Sequence, residues 1–168
     1  MQIIVTTCVY AVALAAVIYF TRAPSRRVLG ALAGGAAAGC FALGAMAVGE
    51  ALGLWRNFLP STPGMWMLYY LAIAIACSPI DLITWRVARR FGSRGLTVCV
   101  IVAGVLGPTR DRLYLATHPE LGVFAKGMAP VFGDAASYVG IVAIGYAVMR
   151  LVSGPSRGSR LARQPLAA

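Results

Sequence analysis

The chain has 168 residues, 60% of them hydrophobic and 12% charged, with a formal net charge of +10 and a mean hydropathy of +0.78. A soluble domain carries about twice that share of charge, so the composition excludes an ordinary soluble enzyme and points to an all-α, polytopic integral membrane protein. Cys8, Cys40, Cys77 and Cys99 each sit in an apolar run, with no CxxC or Cys/His pattern, which argues against a zinc site or a disulfide framework.

The first predicted span covers about 3–20, "IIVTTCVYAVALAAVIYF". No positive residue precedes it and "TRAPSRR" follows. A secretory signal has the opposite charge order, so a permanent helix with its N-terminus outside is expected. The second span, about 28–49, carries Gly30/Gly34, Gly35/Gly39 and Gly49/Gly53 at GxxxG spacing. Small residues at that spacing let helix backbones approach closely. Helix two is therefore expected to be central, or to face another subunit through self-association. The third span, about 64–85, contains Cys77-Ser78-Pro79, where a kink is expected, and then Asp81. An acid inside hydrocarbon calls for a partner. Arg86, Arg89 or an arginine of a neighbouring helix is the expected one, and a proton or ion relay is the alternative. Trp55, Trp66, Tyr69 and Tyr70 form an expected aromatic belt on the outer side.

The fourth segment is the difficult one. Its apolar stretch, 95–107, has only 13 residues, roughly 20 Å of helix against a hydrocarbon core of about 30 Å. A re-entrant loop would suit that length. Charge placement favours a crossing. If the segment crosses, Arg22, Arg26, Arg27, Arg86, Arg89, Arg90, Arg94, Arg150, Arg157, Arg160 and Arg163 all lie on the cytoplasmic side, leaving Arg56, Arg110, Arg112 and Lys126 outside. That is the arrangement the positive-inside rule favours. The crossing helix must then continue through Pro108 to about 117. Beyond it, about 118–126 is expected to form a short interfacial helix, with Pro119 in its first turn and Leu121 and Phe124 on one face. The fifth span covers about 131–152, which closes a five-helix transmembrane domain over 1–152. The tail, 153–168, is basic, rich in small residues and expected to be disordered in the cytoplasm. The expected location is the cell's inner or plasma membrane, with the N-terminus outside and the C-terminus cytoplasmic.

Glu50, Asp111, Glu120 and Asp134 fall on the outer side, beside Arg56, Arg110, Arg112 and His118. Carboxylates near hydrocarbon must find partners, so these eight residues form the candidate outer polar cluster. Glu50 paired with Arg110 is one arrangement it permits. His118, Glu120 and Asp134 lack a diagnostic metal spacing, and neither a metal nor a cofactor is expected. The chain holds no HExxH, GxSxG or P-loop. Five spans do not divide into inverted halves, which disfavours a transporter built on that plan. The arginines lie beside spans, so orientation and anionic lipid account for them better than nucleic acid does. Expected partners are membrane lipids and other membrane subunits, with no nucleic acid. These features favour a non-enzymatic subunit or scaffold of a membrane assembly. A lipid- or isoprenoid-binding enzyme with an outer-leaflet site is the first alternative, and a small oligomeric ion or proton channel the second.

Overall fold

The computed structural model describes residues 2–58 and 62–154. Five helices account for most of them: α1 (Gln2–Thr21), α2 (Ser25–Ala51), α3 (Pro63–Phe91), α4 (Ser93–Thr117) and α5 (Ala129–Ser153). Two three-residue strands, β1 (Trp55–Asn57) and β2 (Gly122–Phe124), lie in the loops after α2 and after α4. Of the tail 153–168, positions 155–168 lie outside the described residues.

Helix boundaries follow local chemistry. Pro24 precedes α2, Pro63 opens α3 and Pro130 sits in the first turn of α5. A proline there forfeits no helical hydrogen bond and presets φ. Gly92, at φ +67°, makes the reversal between α3 and α4, a backbone shape that a side chain disfavours. Helix α4 runs on through Gly107 and Pro108, both buried. Its 25 residues give about 37 Å of helix.

Helix α2 is the spine. It packs against α5 and α3, while α1 lies on α3, and α4 lies on α5 and α3. Its glycines serve two faces. Added Cβ atoms at Gly30 and Gly34 would strike α5, at Ser153 and at the Gly145 carbonyl. At Gly35 and Gly39 they would strike α3, at Ser78 and the Tyr70 ring. A stripe of small residues thus brings three backbones together where larger side chains would hold them apart. Gly53 belongs to the turn after α2, at φ +70°, with open space around it, and so has no part in helix packing.

Strands β1 and β2 pair antiparallel, Trp55 opposite Phe124, Arg56 opposite Val123 and Asn57 opposite Gly122. The loop after α4 therefore lies at the same end of the bundle as the loop after α2, and α4 traverses the full length rather than turning back. This is the sheet end. The opposite, arginine end gathers the α1–α2 and α3–α4 connections and the end of α5.

Residues 118–126 do not form the expected interfacial helix. They make a turn, with the Leu121 amide donating to the His118 carbonyl, and then β2. The reason is a competing set of backbone partners. The Phe58 amide donates to Leu121 O at 3.0 Å and the Ala125 amide to Leu54 O at 2.9 Å. Leu121 and Phe124 share an apolar helical face in the sequence, yet β1 supplies hydrogen bonds that a lone short helix lacks.

Candidate functional site

The Trp55 indole and the Leu54 side chain anchor the sheet to the bundle. The Trp55 ring lies over Gly49, where any Cβ would collide with it, and its Nε1 donates to the Met46 carbonyl at 3.0 Å. Phe124 meets Trp55 edge to face at 6.1 Å, and Leu54 packs over Gly133 of α5.

Beneath the sheet lies the polar cluster. Asp111 sits one turn beyond Gly107 on α4. The absence of a side chain at Gly107 lets the Tyr138 ring of α5 lie against the α4 backbone. From there the Tyr138 hydroxyl donates to Asp111 Oδ2 at 2.8 Å. Arg110 Nη1 donates to the Tyr138 oxygen at 3.3 Å and stands 3.5 Å from Asp111 Oδ1. That Arg110–Asp111 contact is the one ion pair among the described residues. Asp134, one turn before Tyr138, is in electrostatic reach of Asp111, Arg112 and Arg110. Its Oδ2 is buried with no hydrogen-bond partner. Arg112 donates to the Gly127 carbonyl at 3.3 Å and overlies Phe124.

Of the eight residues expected to cluster, Arg110, Asp111, Arg112 and Asp134 come together. The other four do not join them. Glu50 Oε1 accepts the Asn57 amide at 3.1 Å, which ties the end of α2 to β1 rather than to Arg110. Arg56 is exposed on β1. His118 stacks on Tyr114 at 4.5 Å, and its Nδ1 lies 2.9 Å from Thr117 Oγ1, a local finish to α4. Glu120 is exposed in the turn. No group of three or more metal-ligating side chains forms among the described residues. Tyr138, the centre of the cluster, escapes a reading based on charge. The signal for it is its position four residues after Asp134, one helical turn along the same face.

Asp81 makes none of the expected arginine pairs. Its carboxyl is wedged where α2, α3 and α5 meet, against Gly34 on one side and Gly145 on the other. It is 1% exposed, and Oδ2 has no hydrogen-bond partner among the described residues. Pro79, two residues earlier, is buried inside a continuous α3.

At the arginine end, the basic residues sit largely in helical turns rather than in loops. Arg26 Nε donates to the Val152 carbonyl at 3.1 Å, and Ser153 Oγ donates back to the Arg26 carbonyl at 3.3 Å. Arg86 donates to the Thr21 carbonyl at 3.3 Å. The Arg27 and Arg89 guanidiniums stand 4.5 Å and 5.6 Å from the Trp85 ring centroids.

The described architecture is that of an all-helical protein in which α1, α2, α3 and α5 are long and apolar enough to cross a membrane. Comparison with protein families, with curated proteins and with solved structures finds no match for this chain.

Proposed function

We propose that this chain is a five-crossing protein of the inner or plasma membrane that acts as a non-enzymatic subunit or scaffold. Its N-terminus faces out and its C-terminus faces the cytoplasm. One observation carries the scaffold reading: apart from Asp134, whose Oδ2 has no hydrogen-bond partner among the described residues, the cluster and its neighbour Glu50 are taken up by bonds within the protein. Asp111 is committed to Tyr138 and Arg110, Arg112 to the Gly127 carbonyl, and Glu50 to the Asn57 amide. Apart from the Arg110–Asp111 pair within α4, each contact ties one element to another, so the polarity serves cohesion of the helix ends. The length of α4 and its full traverse support its crossing. Arg22, Arg26, Arg27, Arg86, Arg89, Arg90, Arg94 and Arg150 at one end support the orientation.

Purification in mild detergent tests the role. A protein partner at fixed stoichiometry is expected, retained when Asp111→Asn loosens the cluster. A chain that purifies alone, or a substrate turnover abolished by Asp111→Asn, overturns the scaffold reading. Orientation has its own check. With the four native cysteines replaced by alanine, Lys126→Cys should react with an impermeant thiol reagent in intact cells. Reaction only after the membrane is opened places the sheet end inside.

A further inference from the structure

The arginine end holds a cavity of about 420 Å³. Its walls include Leu82 and Trp85 and the side chains of Arg27, Arg86, Arg89 and Arg90. No carboxylate lines it among the described residues. Asp81, the nearest acid along α3, is turned into the notch between Gly34 and Gly145. Four cations therefore share a pocket with no anion of their own.

The arrangement is built rather than diffuse. Arg86, Arg89 and Arg90 fall at spacings of three and four on one face of α3. Arg27 reaches the same pocket from α2, half-buried, with Arg86 and Arg89 as its charged neighbours. Trp85 is buried beneath them, and the Arg27 and Arg89 guanidiniums lie over its ring. A cation–π contact uses no N–H donor, so such a guanidinium keeps its donors for bidentate bonds. The Trp85 Nε1 is a further buried donor without an acceptor among the described residues. Like charges held this close repel, and a multiply charged oxyanion removes the repulsion while filling the fork geometry. The cavity volume is within the range of small-ligand sites.

We propose that this pocket binds a phosphate-bearing anion, held by Arg27 and Arg89 over Trp85 with Arg86 and Arg90 at the rim. The proposal is independent of the scaffold reading, which concerns the other end. The anion is either a lipid headgroup or a free phosphate species, and both present the same oxygens.

The test uses the full chain and two probes. Inorganic pyrophosphate is titrated calorimetrically into protein in neutral detergent. Phosphatidic acid retained by the protein, drawn from phosphatidylcholine nanodiscs with and without that lipid, is counted by native mass spectrometry. Arg27→Gln with Arg89→Gln should weaken binding by about tenfold or more, since hydrogen bonds to charged groups are lost. Arg94→Gln with Arg150→Gln removes the same charge from the same end, outside the pocket, and should weaken binding by less than about twofold. Arg89→Lys keeps the charge and the stem but loses the fork. It should fall between the two, which guards against a double variant that folds poorly. Binding of both probes identifies a free-anion site, and binding of phosphatidic acid alone identifies a headgroup site. Equal losses in the two double variants, or no binding of either probe by the unmodified chain, overturn the proposal.

Discussion

At the sheet end, hydrogen bonds to charged side chains join different elements: α4 to α5, α2 to β1, and α4 to the loop before α5. At the arginine end, Arg27 faces Arg86 and Arg89 with no acid among the described residues lining their pocket, and its guanidinium lies 4.5 Å from the Trp85 ring centroid. Both ends contain arginine and both are built on helix termini. The difference lies in what answers the charge. One end carries its counter-charges in its own sequence; the other presents a cluster that an outside anion would complete. Net charge alone, +10 over the chain, conceals that contrast.

Three experiments would break or sharpen it. The largest effect is expected from Gly49→Val, which drives a β-branched side chain into the Trp55 ring. Overpacking of this kind costs about 3 kcal/mol. It should appear as a marked fall in the thermal midpoint in detergent, together with exposure of Trp55 to a water-soluble quencher. An unchanged midpoint would mean that the sheet does not depend on that slot. Next is a double-mutant cycle between Asp111→Asn and Tyr138→Phe. Each single change should cost about 1–2 kcal/mol, and the pair less than their sum, because they share one hydrogen bond. Strict additivity would separate the two residues. The smallest effect is expected from Arg27→Gln. Loss of its stack on Trp85 costs about 0.5–1 kcal/mol, and relief of repulsion from Arg86 and Arg89 offsets it. A near-zero change in the midpoint is the expected result. A loss as large as that of Asp111→Asn would put the two ends on the same footing.

Much of this architecture can be read from composition and periodicity. Apolar runs about 20 residues long, the length a membrane crossing requires, locate α1, α2, α3 and α5. The glycine pairs of α2 locate the close approaches. What escapes such a reading is pairing across the chain. Nothing in "GVF" at 122–124 announces a strand, and its partner "WRN" lies at 55–57. The local pattern around Pro119 resembles a helix start, and only the facing backbone of β1 decides otherwise. Charge patterning likewise finds Arg110, Asp111, Arg112 and Asp134. It gives no hint that Tyr138 joins them, since a hydroxyl carries no formal charge. Asp81 looks as if it needs an arginine. The glycines that receive it instead, Gly34 and Gly145, are 111 residues apart in sequence and meet only when α2 and α5 cross.

The pairing of β1 with β2 has a consequence for the order of assembly. Translation completes α1, α2 and α3 well before Gly122–Phe124 exists, so Trp55 waits without the aromatic edge it will later meet. The strand arrives only if α4 runs the full length of the bundle to the far end. The two-stranded ribbon thus closes last, and a chain whose fourth helix turned back would keep the edge of β1 unpaired.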